Sequence, residues 1–127
     1  MSRRTVAILG ASPDRAKFGN KSVRAHQMQG YDVYPVNPKG GEIEGLPVYQ
    51  TLADVPVAHL DRISVYLPPA VGLNVLEEIA AKGCDELYFN PGSDSGEVLD
   101  RARELGLEPI RACSIVDLGI RPETLEA

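Results

Sequence analysis

Thr5-Val6-Ala7-Ile8-Leu9-Gly10-Ala11-Ser12 is the stretch on which the fold turns. Thr5 to Leu9 is a near-continuous apolar run, the pattern of a parallel strand buried on both faces. Gly10 follows at once. A glycine there lets the chain turn from strand into helix, and it lets a phosphate approach the backbone. Amide N–H groups and a helix N-terminus then supply positive potential at that point. A side chain added at Gly10 is expected to face such a ligand and not the core.

Outward from this stretch, short apolar runs alternate with segments of helical period. The first helix is expected from about Gly19 to Gln29, with Val23, His26 and Met28 on its inner stripe and Gly30 as its stop. Tyr31 to Val36 reads as the second strand. Asn37 to Gly41 is a loop, Leu46 to Tyr49 has no clear period, and Leu52 to Val55 reads as one helical turn closed by Pro56. The third strand is expected at Ile63 to Leu67, stopped by Pro68-Pro69. A helix over about Val71 to Lys82 carries Leu73, Val75, Leu76, Ile79 and Ala80 on one face and ends at Gly83. Leu87-Tyr88-Phe89 is the fourth strand. Ser93-Asp94-Ser95 offers N-caps for a helix from Gly96 to Leu105, stopped by Gly106, and Glu108 to Cys113 is the fifth strand. The tail from Ile115 is expected to fold back as a short capping segment.

Strands alternating with helices imply right-handed crossovers and a parallel sheet covered on both faces. The expected class is therefore α/β, a Rossmann-like doubly wound five-stranded sheet. With 127 residues and 43% hydrophobic content, the chain reads as a single domain over residues 1–127. Ligands of such sheets sit at the carboxyl ends of the strands, where strand order reverses.

A formal net charge of -5 disfavours nucleic acid and anionic membrane as partners, so an anionic ligand must be held by local geometry. Two cysteines, Cys84 and Cys113, do not make a disulfide framework, and a cytoplasmic location is expected. No run resembles a signal peptide or reaches membrane-spanning length. His26 and His59 lack metal-ligand spacing, and no serine, histidine and acid set assembles, so neither a metal site nor catalytic residues are expected.

Four strand-end loops carry the candidate site. In the first, Ser12 stands where a dinucleotide fingerprint has its second glycine, and Gly19 comes too late for the third. In the second, Asn37-Pro38-Lys39 has no carboxylate of the kind that accepts from the ribose hydroxyls of NAD. It suits a nucleotide with an extra ribose phosphate; a solvated loop lysine is the other reading of Lys39. Leu67-Pro68-Pro69 forms either a rigid apolar ledge or a plain strand stop. Asn90-Pro91-Gly92 makes a tight turn whose Asn90 side chain is available to a ligand. Cys113 lies near the same edge, packed or facing a ligand's thiol end.

Val6 to Ser12, Gly30 to Pro38 and Gly45-Leu46-Pro47-Val48-Tyr49 together resemble small bacterial CoA-binding proteins related to the N-terminal domain of the succinyl-CoA synthetase α subunit. The resemblance spans most of the chain, Val36 to Val48 being its most specific part. It implies coenzyme A or an acyl-CoA across the carboxyl edge, with Gly10, Ala11 and Ser12 at the pyrophosphate. Lys39-Gly40-Gly41 resembles the synthetase's Lys-Gly-Gly segment beside the nucleotide, and Leu67-Pro68-Pro69 its Val-Pro-Pro turn. Asn90-Pro91-Gly92 takes the place of its Thr-Glu-Gly turn. Phe18 and Gly19 join Asn37 and Pro38 in the expected cofactor-binding set. The synthetase's phosphorylated histidine belongs to a second domain without counterpart here, so ligase activity is not implied. An NAD(P)-dependent enzyme or redox sensor, and an interaction module acting through a homodimer or another protein, are the competing readings.

Overall fold

The computed structural model describes residues 3–127. Along the chain it forms β1 (Thr5–Leu9), α1 (Phe18–Met28), β2 (Asp32–Val36), β3 (Glu42–Ile43), β4 (Leu46–Pro47), β5 (Leu60–Val65) and α2 (Pro69–Lys82). There follow β6 (Cys84–Phe89), α3 (Gly96–Glu104), β7 (Pro109–Arg111) and α4 (Ser114–Asp117). Single 3₁₀ turns occupy Leu52–Asp54 and Pro122–Thr124. The main sheet has the order β2-β1-β5-β6-β7 and is parallel throughout. The chain leaves β1 toward β2 on one side and later returns to pair β5 on the other, so β1 and β5 flank the switch point.

The two faces of the sheet are chemically different, because side chains alternate along each strand. Ala7, Leu9, Ile63, Val65, Leu87 and Phe89 point to one face, where α2 and α3 cover them with Leu76, Ile79, Val98 and Ala102. Val6 and Ile8 point to the other, against Val23 of α1. There β5 contributes Arg62 and Ser64, and β6 contributes Glu86 and Tyr88. The tail folds back over this face, Ile115 and Leu125 packing on Ala25 of α1.

Arg62 is only 2% exposed. Its guanidinium donates to Asp117 on α4 at 2.7 Å and to Glu86 on β6 at 3.2 Å. It also stacks on the ring of Tyr88, 4.6 Å from the centroid. A third N–H reaches Nε2 of His26 at 3.4 Å, which puts the imidazole proton on Nδ1, where it donates to the Ser22 carbonyl at 2.8 Å. The buried guanidinium is thus neutralised by two acids that themselves remain partly exposed to solvent.

Arg62 also explains why the start of β5 is not visible as an apolar run. Expected at Ile63 to Leu67, the strand begins at Leu60 and ends at Val65. Its entry is fixed by polar bonds: the Asp61 carboxylate accepts from the Thr5 amide at 2.7 Å, and the Asp61 amide donates to the Thr5 hydroxyl at 3.0 Å. Strand β6 likewise starts at Cys84, since Asp85 and Glu86 find partners in His59 and Arg62. The last strand is shorter than expected, and Cys113 precedes α4 instead of ending it. Helix α2 begins earlier, because Pro69 suits a first helical turn whose amide has no intrahelical acceptor. Met28, assigned to the inner stripe of α1, is 65% exposed, and Asn20, Ser22 and Ala25 are buried in its stead. The aperiodic stretch around Leu46 is the second arm of the β3–β4 hairpin, turned at Glu44-Gly45 with positive φ at both residues.

Burial pushes the His26 imidazole down from 6.5 to about 4, the Arg62 charge adding to the effect while the Ser22 bond opposes it. Since the folded value lies below the unfolded one, the neutral ring stabilises the fold in full above pH 6.5. That stabilisation falls away as the pH drops toward 4. It amounts to about 3 kcal/mol. His26→Gln keeps an acceptor for Arg62 and does not titrate. In urea unfolding across this window, the variant's stability should vary less with pH than the wild type's; equal slopes would mean that His26 does not titrate with folding.

Candidate functional site

The ends of β2, β1, β5 and β6 frame an open cleft of about 690 Å³ on the carboxyl edge of the sheet. Gly10, Ala11, Ser12, Phe18 and Gly19 form one wall, Asn37 and Lys39 one end, and Leu67, Pro68, Pro69, Pro91 and Gly92 the other side. Pro38 lines a second, apolar slot of about 240 Å³ that meets the cleft at Gly10 and Leu67, with Val36, Leu52, Val71 and Val75 as further walls. Asn90, by contrast, lines neither cavity: it is 1% exposed. Its amide donates to Ser64 and to the Val65 carbonyl, and its carbonyl oxygen accepts from the Ser114 amide. The side chain expected to be available to a ligand thus holds the sheet edge to α4. Cys113 is half-buried at the start of α4, outside the cleft lining.

Gly10 has φ +88, and a β-carbon on it would come within 2.8 Å of the Tyr66 carbonyl oxygen. That position therefore faces the end of β5, not the ligand as expected. Gly19 is the more consequential residue: a β-carbon there would lie 2.2 Å from the Gly10 carbonyl oxygen. The glycine that comes late for the dinucleotide fingerprint does the work of its third glycine, seating the helix directly on the strand-end turn. The longer loop between them is tied down from within. Asn20 donates to the Ser12 carbonyl at 3.0 Å, the Ser12 hydroxyl accepts from the Asp14 amide, and the Asp14 carboxylate accepts from the Ala16 amide. Asn37 donates to the Ala11 carbonyl at 2.8 Å and accepts from the Lys39 amide, joining the loops after β1 and β2.

The loop's charges are divided. Arg15 pairs with Glu44 of the hairpin, and Asn20 donates to the other oxygen of the same carboxylate at 3.1 Å. These bonds hold Glu44 below the usual carboxylate range, the Asn20 bond foremost. Arg24 donates to Asn20 and to the Arg15 carbonyl. Lys17 and Lys39 line the cleft without an acidic partner among the described residues. Pro13, Asp14, Lys17, Tyr66 and Ser93 also line it and are not in the expected binding set. For Lys17 and Tyr66 a signal exists, since one immediately precedes a helix start and the other follows a strand end.

Topology and cleft together define a Rossmann-like α/β domain with room for a ligand where the strand order reverses. A family model described as a CoA binding domain matches residues 4–119, and the chain belongs to that family. It is similar to a trans-feruloyl-CoA synthase of an unidentified prokaryote, 32% identical over 100 residues, covering 74% of this chain and 14% of that enzyme. It is also similar to the ADP-forming acetate–CoA ligase of Methanocaldococcus jannaschii, 35% identical over 80 residues, with 63% and 11% covered. The chain thus spans about a seventh or less of the length of these two relatives. Among solved structures, a conserved hypothetical protein from Pyrococcus furiosus superposes with a TM-score of 0.79 at 34% identity, over 91% of this chain and 99% of that one. A dinucleotide-forming acetyl-coenzyme A synthetase from Ca. Korarchaeum cryptofilum, in complex with phosphate and ADP, gives 0.70 at 26% identity. That match covers 85% of this chain and 25% of the enzyme.

Gly19→Ala must push α1 off the Gly10 carbonyl, since backbone and not a flexible side chain stands in the way. The variant should lose at least about 1–3 kcal/mol of stability, the usual cost of overpacking, in thermal or urea unfolding. Gly96→Ala, at a helix start with open space around it, serves as the control and should stay within about 0.5 kcal/mol.

Proposed function

We propose that this chain binds coenzyme A or an acyl-CoA in the cleft, through the strand-end loops, and performs no ligase reaction by itself. The observation that carries the reading is the end of β2, where Lys39 and an apolar slot stand in place of the acid of an NAD site. A base fits the slot beside Pro38, the pyrophosphate lies against the turn at Gly10 to Ser12 and the start of α1, and the ribose phosphate meets Lys39. The pantetheine arm then runs between the apolar walls made by Phe18 and Pro13 on one side and Pro68, Pro69 and Pro91 on the other. The amides of Ala11 and Ser12 have no acceptor among the described residues, which suits them to an anion. Membership of the CoA binding domain family supports the ligand class. The reading of no ligase reaction is supported by the cleft itself, where no nucleophile hydrogen-bonded to a base is brought together among the described residues. Free thiols at Cys84 and Cys113 fit a reducing cytoplasm.

Calorimetry should find CoA binding much tighter than NAD binding, and tighter NAD would overturn the reading. Incubation with CoA, a nucleoside triphosphate and carboxylic acids should give no thioester. Lys39→Ala should weaken CoA by about tenfold, as expected for one charge-assisted hydrogen bond. Dephospho-CoA, which lacks the ribose 3′-phosphate, should change little; equal losses for both ligands would put Lys39 at the pyrophosphate instead.

A further inference from the structure

Beneath the cleft, Asn90, Ser64, Ser114 and Tyr66 are joined by hydrogen bonds whose direction can be deduced. The Ser114 amide can only donate, so the Asn90 atom it meets at 2.8 Å is the carbonyl oxygen. The Val65 carbonyl can only accept, so the Asn90 atom 2.9 Å from it is the nitrogen. These two backbone groups fix the amide, and its second N–H donates to the Ser64 hydroxyl at 2.8 Å. Ser64, fully buried, then directs its own proton to Ser114 at 2.7 Å. Ser114, also fully buried, passes its proton to the Tyr66 oxygen at 3.0 Å. Tyr66 is left as an acceptor on this side.

We infer that Asn90 is a positioning residue for the cleft, acting through this one-way chain of hydroxyls to orient Tyr66. The inference rests on the proposed CoA site. Tyr66 lines the cleft, its amide donates to the Leu9 carbonyl at 2.9 Å, and its carbonyl stands over Gly10. The ring is therefore clamped at its backbone beside the phosphate turn, and the hydroxyl chain sets the other end. The turn at Asn90 reaches the opposite wall as well: the backbone carbonyl of Asn90 accepts from the Ser93 hydroxyl at 2.7 Å, and Ser93 lines the cleft. The chain holds a single arrangement, because reversing either hydroxyl link leaves a buried serine proton without an acceptor. The substitution of choice is Ser64→Ala. It cuts the chain between Asn90 and Ser114 and leaves both backbone bonds of Asn90 in place.

The test is a double-mutant cycle of Ser64→Ala and Tyr66→Phe on CoA affinity, by calorimetry well below the unfolding midpoint of each variant. Ser64→Ala should weaken CoA by about five- to tenfold in the wild-type background and have no further effect once Tyr66 is Phe. A role confined to stability would lower the unfolding midpoint without this coupling. Unchanged affinity in Ser64→Ala, or losses that multiply in the double variant, overturns the inference while leaving the CoA site standing. Wild-type protein that binds no CoA overturns both.

Discussion

Gly19 lies so close to the Gly10 carbonyl, and Gly10 so close to the Tyr66 carbonyl, that three backbone segments meet at one point without an intervening side chain. The end of β1, the start of α1 and the exit of β5 converge there. Close approach at this joint brings the N-terminus of an 11-residue helix to the switch point of the sheet, with Phe18 and Gly19 in the cleft lining. Asn20 and Asn37 then work from either side of the joint, each donating to a carbonyl of the turn. Their acceptors, Ser12 and Ala11, are neighbours in the chain. The carbonyls of Ala11 and Ser12 are thereby occupied from within, while the amides of the same two residues have no acceptor among the described residues.

The asymmetry of the sheet follows from where α4 must dock. Helices α2 and α3 are long enough to cover their face by apolar contact alone, with Leu76, Ile79, Val98 and Ala102 fully buried. Helix α4 has only four residues and buries Ile115 as its one large apolar side chain. Too little apolar area is available to set its position, and directional bonds do so instead. Asp117 meets Arg62 at one end, and Ser114 meets Ser64, Tyr66 and Asn90 at the other. A salt bridge and a polar chain of this kind add little net stability, because desolvation offsets most of the attraction. What they add is register. A shift of α4 by one residue would take Asp117 from the Arg62 guanidinium and the Ser114 amide from the Asn90 side-chain oxygen, leaving Glu86 alone on the buried charge, at a cost of several kcal/mol.

How legible the molecule is in its sequence depends on whether apolar content or polar pairing sets each element. Strand β1, whose residues are covered on both faces, reads directly as an apolar run, and Ser95 is a cap in the structure as in the sequence, accepting from the Val98 amide. The starts of β5 and β6 do not read at all, since Asp61, Arg62, Asp85 and Glu86 look like loop residues until their partners on other elements are known. The hairpin is equally hidden, because its strands have two residues each and too little length to show a period. In the site, loop identities were visible but side-chain directions were not. Nothing local distinguishes an Asn90 that faces a ligand from one that anchors Val65 and Ser114, or tells on which side of Gly10 a β-carbon would fall.

The same distinction between residues held internally and residues left free bears on how an acidic chain would offer the proposed anion site. The formal net charge is -5, yet the cations near the phosphate turn are not equivalent. Arg15 is neutralised by Glu44, and Arg24 is engaged with Asn20, the Arg15 carbonyl and the Glu126 carbonyl. Both arginines therefore shape the loop through their forked donors, a task for which their planar geometry suits them better than lysine. Lys17 and Lys39 stand at separate points on the cleft lining, each a mobile point charge on a flexible stem. Fixed arginines shape the loop that carries the backbone donors, and the lysines leave positive charge on the cleft lining of an otherwise acidic chain. Exchanging the two types would leave the turn unsupported and the cleft crowded with rigid cations, although the net charge would be unchanged.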